Sequence, residues 1–418
     1  MITPSTLMTT MTNMPTTPAT MQPLLLSHFT ATSCIGAGLG ATLASLQAQR
    51  SGLKPCDFDL ADLETWIGSV EGVDSEVIRP DLRAFDCRNN RLAQLGLRQD
   101  GFEQAVLAAA GRFGTRRVGV FLGTSTSGIL ETEMAYRALD PVTGALPPDF
   151  VYAGSHNPFS VTAFVRAYLG LQGPAMTVSS ACSSSAKVFA SAHRMIAAGL
   201  IDAAVVGGVD SLCLTTLYGF NSLDLLSRRP CQPFDAGRKG ISIGEGAAFV
   251  LLEKMPAETT SGAVLLRGIG ESSDAHHMSS PHPEGLGAIS AMRQALASAG
   301  LPPAGIDYIN LHGTATPSND AVEGKAVVAV FGELAQPCSS TKGATGHTLG
   351  AAGGVEAVIS ALALQHGFMP GGVNTQNVDP ALPVDYLLTN RAQAPQHVLS
   401  NSFGFGGTNC SLVFGRAP

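Results

Sequence analysis

Residues 175–199 read AMTVSSACSSSAKVFASAHRMIAAG. The stretch opens with a short apolar, β-leaning run over 175–178 and crosses a cluster of small residues. It continues over 187–198 with Val188, Phe189, Ala192, Met195 and Ile196 at helical spacing. A strand that turns tightly into a helix holds one side chain at the helix N-terminus, and here that side chain is Cys182. Free N–H groups and the positive end of the helix dipole are expected to stabilise a thiolate there. Ser179, Ser180, Ala181, Ser183 and Ser184 are small enough to leave room for a bulky acyl substrate. A lone cysteine at such a turn more often packs a core than attacks a substrate. Two histidine motifs further along reverse that balance.

The rest of the composition sets bounds. The 418 residues suffice for one large or two ordinary domains. Hydrophobic content of 45%, charge of 14% and 47 glycines describe a tightly packed enzyme-like body rather than a disordered chain. A net charge of −7 lacks the basic footprint of a general nucleic-acid binder, so no nucleic-acid partner is expected. The first Lys or Arg is Arg50, which leaves no basic start for a secretory signal, and no apolar run reads as a membrane span. The cysteines at 34, 56, 87, 182, 213, 231, 338 and 410 form no CxxC pair and no His/Cys ligand spacing. No disulfide framework and no metal site is therefore expected, and the compartment reads as the reducing cytoplasm.

Taken in order, residues 1–20 are rich in Met, Thr and Pro and read as a disordered leader, with Met21 the expected start. A first buried strand begins at Leu24 and a helix follows over 39–49. Residues 51–80 look irregular. The segment 79–98, carrying Arg79, Arg83, Arg88, Arg91 and Arg98, reads as a basic helix, and 102–112 continues helical. Strands are expected over 117–122, 203–207, 241–252, 263–269 and 308–311. Helices are expected over 161–171, 289–300 and 349–365. FLGTSTS at 121–127 echoes NLHGTAT at 310–316, and SSACSSS echoes SSTKGATGH. The echoes suggest two copies of one β/α unit about a pseudo-dyad, an α/β layered fold with an N-terminal half over 21–262 and a C-terminal half over 263–418.

In HGTATPSND (312–320), His312 ends a strand ahead of Thr314 and Thr316. In STKGATGHTLGAAGG (340–354), Lys342 and His347 flank a glycine turn before a helix. The echoes place both histidines at the same central seam as Cys182. A nucleophilic sulfur with two imidazoles suits thioester chemistry: sulfur attacks an acyl thioester, and N–H groups stabilise the oxyanion or enolate. The closing NSFGFGGTNC (401–410) is a Gly/Phe loop whose N–H groups can point at a substrate, with Phe403 and Phe405 over an apolar channel.

These motifs, with PFDAGRKGISIGEGA and SSDAHHMSSPHPEG, resemble those of the elongating β-ketoacyl-acyl-carrier-protein synthases, in order, from about Leu24 to Phe414. The resemblance implies the thiolase-like five-layer αβαβα fold of two duplicated halves, usually a dimer. It also implies a decarboxylating Claisen condensation with malonyl-carrier protein. Carried over, Cys182 would be the acylated nucleophile, and His312 and His347 would assist decarboxylation and hold the enolate. Lys342 would either act on the chemistry or form a buried ion pair with Glu356. Thr314 and Thr316 would bind the phosphopantetheine arm, and the N–H groups of Cys182 and Phe405 would form the oxyanion hole, Phe405 doubling as a gate. Asp320 and Glu356 read as mainly structural, and 274–277 as a supporting layer. No dissociable cofactor is implied, since phosphopantetheine arrives on the acyl carrier protein, for which Arg79, Arg83 and Arg88 offer a basic dock.

Three departures from the family pattern bear on substrate. Lys187 stands where a neutral residue is common, SGILETE (127–133) replaces a Gly-rich run, and Lys239 stands where an acid is frequent. They resemble the specialised synthases of aryl polyene pigment clusters, which often work beside a cysteine-less chain-length subunit, so either a homodimer or such a heterodimer is expected. Two other readings remain open: a thiolase using Cys410 as its base, and a non-catalytic chain-length subunit.

Overall fold

The computed structural model describes residues 20–256 and 261–417, so the expected leader lies, but for Thr20, outside the described residues. The first half contains β1 (Leu24–Ser33), β2 (Gly36–Ala37), α1 (Gly38–Gln47), β3 (Lys54–Pro55), β4 (Trp66–Gly68), α2 (Arg88–Leu97), α3 (Phe102–Phe113), β5 (Val118–Gly123) and α4 (Ile129–Arg137). It continues through α5 (Phe159–Tyr168), β6 (Ala175–Val178), α6 (Ser184–Ala197), β7 (Ala203–Asp210), α7 (Leu214–Ser222), β8 (Ile243–Gly244) and β9 (Gly246–Lys254). The second half contains β10 (Val264–Ser273), α8 (Leu286–Ala299), β11 (Tyr308–Asn310), α9 (Pro317–Phe331), β12 (Pro337–Ser339), α10 (Lys342–Thr345), α11 (Ala352–His366), β13 (Asp385–Tyr386), β14 (His397–Gly404) and β15 (Thr408–Arg416).

β5 (VGVFLG) and β7 (AAVVGGVD) are apolar runs without alternation and are buried on both faces, as strands covered by helices above and below must be. β7, β5 and β6 pair in parallel, and β7, β9 and β1 antiparallel. The second half repeats this order: β10, β15 and β14 antiparallel, then β14, β11 and β12 parallel. The two halves meet where β1 pairs antiparallel with β10, Leu24 opposite Leu266 and Leu25 opposite Leu265, making one twelve-stranded sheet.

Period-2 alternation then sorts side chains into layers. Val118, Val120 and Leu122 face a core shared with α2, α3 and α5, while Phe121 faces the centre with α6 and α11. Leu399 and Val413 face α8 and α9, while Val398, Leu412 and Phe414 face the same centre. Helices, half-sheet, central helices, half-sheet, helices: the five layers of the thiolase-like fold follow from these three cores. α11 is buried from Ala352 to Leu364, the signature of a helix enclosed on all sides.

The basic run is not one helix. Pro80–Phe85 is a 3-10 turn and α2 starts only at Arg88, because Pro80 begins a separate turn and Cys87 takes an extended conformation before α2. Nor is the run a free basic face. Arg88 is buried, with Nε and Nη2 on Glu245 at 3.0 and 2.8 Å and Nη1 on Asp74. Arg79 pairs with Asp81, Arg91 with Asp86 and Arg98 with Glu76. Arg88 is thus removed from the expected carrier-protein dock. Within the irregular 51–80 region, β3 and β4 join β8 in a small sheet.

Candidate active site

β6 ends beside β5, and the chain then turns through Ala181, whose φ of +51° is the left-handed conformation that makes the elbow sharp. Cross-links among small polar residues hold the elbow. Ser180 N–H donates to Ser184 Oγ at 2.9 Å, and Ser183 Oγ and Thr408 Oγ1 donate to Ser180 O at 2.9 and 3.0 Å. Cys182 emerges buried just ahead of α6, which begins at Ser184. The expectation of a thiolate stabilised by the helix end needs correcting. Burial pushes the Cys182 thiol up to about 12, outweighing the opposing pull of the Lys342 charge and the Phe405 N–H. The resting group is a thiol and needs a base.

That base is at hand. His347 Nε2 lies 3.1 Å from Cys182 Sγ. Its backbone is fixed by its N–H to Ser242 O at 2.8 Å and by Gly244 N–H to its own carbonyl at 2.9 Å. His312 follows β11, its ring 5.4 Å from the His347 ring in a T-shaped arrangement, and 5.9 Å from Phe403. Donor atoms of Cys182, His312 and His347 all lie within 4.8 Å of one another. These are also the side chains that could hold a metal ion, and one bound there would occupy Cys182 and both histidines. Burial and the adjacent Lys342 charge keep both imidazoles well below their usual pKa, hence neutral near pH 7.

Lys342, in α10, donates to His312 O at 2.5 Å, lies 3.4 Å from His312 Nδ1 and pairs with Glu356 of α11. All three are buried. Burial pushes Glu356 up to about 7, with Lys342 pulling the other way. Thr314 and Thr316 hydroxyls lie 3.0 Å apart on the pocket wall, and Thr316 Oγ1 also caps α9 by accepting Asn319 N–H at 3.3 Å. Asp320 lies behind them, accepting N–H groups of Phe234 and Ala315 at 2.8 and 3.2 Å, which is a structural placement. Phe403 and Phe405 line the same pocket, and the Phe405 ring leans on Phe220 of α7 at 5.6 Å. Asp274 ties two loops at the pocket edge by accepting His282 N–H and Asn409 Nδ2. Cys410, the candidate thiolase base, faces the central core instead of the pocket.

Two carboxylates that motif reading passed over organise the site. Glu323 of α9 accepts the N–H groups of His312 and Gly313 at 2.8 and 2.7 Å and Asn401 Nδ2 at 3.1 Å; burial lifts it to about 7. Asp210 at the end of β7 accepts N–H groups of Ser125, Thr126 and Gly350, tying the G-T-S-T loop to the turn after His347. The two echoed loops are thus held alike, each by a buried acid. Pro317 after an N-cap threonine was a visible signal for α9, and α9 would have placed Glu323 on the face toward His312.

The N-terminal β-ketoacyl synthase domain family matches residues 91–257, and the C-terminal domain family residues 263–376. A 3-oxoacyl-[acyl-carrier-protein] synthase 2 of Coxiella burnetii is 34% identical over 392 residues, 89% of this chain and 93% of that protein. The mitochondrial 3-oxoacyl-[acyl-carrier-protein] synthase of Arabidopsis thaliana is 43% identical over 262 residues, 59% of this chain and 57% of that protein. The solved ketosynthase in complex with its chain length factor from Xenorhabdus doucetiae matches with a TM-score of 0.85 and 38% identity, covering 95% of this chain and 98% of that one. Fold, pocket and relatives define a thiolase-fold condensing enzyme of the acyltransferase class. The chain belongs to the β-ketoacyl synthase family.

Proposed function

We propose that the chain elongates an acyl group held on Cys182 by decarboxylative condensation with malonyl-carrier protein. The observation that carries this reading is the 3.1 Å contact between Cys182 Sγ and His347 Nε2, with His312 alongside. His347 takes the thiol proton as sulfur bonds to the acyl-thioester carbon. The C–S bond to the donor's pantetheine breaks, and the departing thiolate takes that proton. The N–H groups of Cys182 and Phe405 hold the oxyanion. Malonyl thioester then loses CO₂, and neutral His312 and His347 stabilise the enolate by hydrogen bonding. The enolate carbon attacks the Cys182 thioester, the C–S bond breaks to give a β-ketoacyl product, and the Cys182 thiolate takes a proton from solvent to return to the thiol. Thr314 and Thr316 position the pantetheine arm, Phe405 with Phe403 gates the entrance, and Lys342 with Glu356 and Asp320 keeps the site in register.

We take the halves as 21–262 and 263–418. The pantetheine group arrives on an acyl carrier protein, and the eight free cysteines fit a reducing cytoplasm. No helix among the described residues is long and apolar enough to cross a membrane. A dimer partner, either a second copy or a homologous chain-length subunit, fits the edge strand β6. Met176 of β6 and Phe159 at the start of α5, the helix packed on β6, are exposed in the lone chain. The Xenorhabdus doucetiae ketosynthase was solved with such a factor, which favours the heterodimer and a polyene or polyketide-type pathway over housekeeping fatty-acid synthesis. Elongation assays with saturated and aryl-conjugated acyl-carrier substrates, with and without the partner, test this. Equal use of saturated donors by the chain alone would contradict the specialised reading.

A further inference from the structure

SGILETE (127–133) runs into α4, and its last residue performs a task on another helix. Glu133 Oε2 accepts the backbone N–H of Leu214 at 2.9 Å, and Oε1 that of Thr215 at 2.6 Å. These are the first two residues of α7. The α7 N-cap, Cys213, makes no side-chain cap, and its first turn carries no acid. A carboxylate from α4 therefore satisfies two open donors and opposes the positive helix end. Further along α7, Leu217 is anchored in an apolar cluster with Ile241 and Ile243, and Phe220 projects onto the Phe405 ring. The backbone around Phe405 is tethered, Gly404 by pairing with Thr408, Gly406 by its N–H to Met278 O at 2.7 Å and Gly407 by accepting Asp274 N–H at 2.8 Å, so the ring is the part left to swing. What its ring leans on then decides where it stands.

We propose that Glu133 is a positioning residue for the gate: through its cap on α7 it holds Phe220 against Phe405 and so sets how often the ring opens the way to Cys182. The proposal rests on reading Cys182 as the nucleophile behind that ring. It gives the SGILETE departure a function in substrate admission.

Iodoacetamide alkylation of Cys182 in the full chain provides the test. Peptide mass spectrometry counts the partly exposed Cys34 and Cys56 separately. Glu133→Ala and Phe220→Ala should each speed alkylation by about three- to tenfold, the population shift that loss of a helix cap permits. Glu133→Gln, keeping one acceptor oxygen, should fall between wild type and Glu133→Ala, and it carries the test if the alanine variant does not fold. The double variant should react no faster than Phe220→Ala, because both changes act through one contact. A merely structural Glu133 would lower the melting temperature while leaving the two effects additive. Additivity, or a wild-type or slower rate in the Glu133 variants, overturns the proposal. An unchanged rate in Phe405→Ala would remove the gate reading itself, and the proposal with it.

Discussion

At Cys182 the competition is between burial, which disfavours a thiolate, and a neighbouring charge and N–H that favour it; burial prevails. Alkylation should therefore keep accelerating as pH rises through 9, and a plateau near the ordinary cysteine value of about 8.5 would contradict the buried-thiol account. The carboxyls respond in the opposite sense to a surface acid. Glu356 titrates at 4.5 when exposed and at about 7 when folded. It thus favours the folded state below about pH 4.5, and that contribution disappears as pH rises through 7. Urea midpoints between pH 5 and 8 should fall less steeply for Glu356→Gln than for wild type, and equal slopes would count against this. That Cys182, His312 and His347 lie together was legible from their motifs. The protonation state of Cys182 was not, because a helix end is visible in sequence whereas the depth of its burial is not.

The elements succeed by close approach. A Cβ on Gly353 of α11 would stand 2.8 Å from the Ala186 backbone N of α6, whereas Gly111 on α3 has nothing within 4 Å. Gly353→Ala should cost about 1–3 kcal/mol or more by overpacking, and Gly111→Ala should be neutral or stabilising by about 0.5–1 kcal/mol. Denaturation midpoints separate them, and similar shifts for both would contradict the central-layer packing. Glu323→Ala leaves two buried N–H groups at His312 and Gly313 without an acceptor, which costs about 1–3 kcal/mol and should lower kcat at least tenfold. An unchanged kcat would show that α9 does not set His312. Strands and helices with clear apolar runs, such as β7 and α8, were readable. α4, α7 and α9 were not singled out, and they carry Glu133, Phe220 and Glu323. Their sequences mix polar and small residues with few apolar ones at regular spacing, so the helical period is weak in them.

For the whole molecule, the pseudo-dyad was foreshadowed by two short echoes, and the mirrored strand order around β1 and β10 gives those echoes their geometry. The basic run misled because Arg88, at its centre, meets Glu245 far away in sequence, and no local pattern reports such a partner. At this scale the open edge at β6 predicts association. Met176→Lys with Phe159→Asp should shift sedimentation from dimer to monomer, and an unchanged profile would place the interface elsewhere. The central claim is that Cys182 carries the acyl group and passes it to a malonyl-derived carbon. Intact-protein mass spectrometry tests it most directly, with a panel of acyl-carrier donors followed by malonyl-carrier protein. The account predicts an acyl adduct on wild type, absent in Cys182→Ala, that is discharged as β-ketoacyl product. An adduct that persists in Cys182→Ala, or none with any donor even beside the partner subunit, would contradict it.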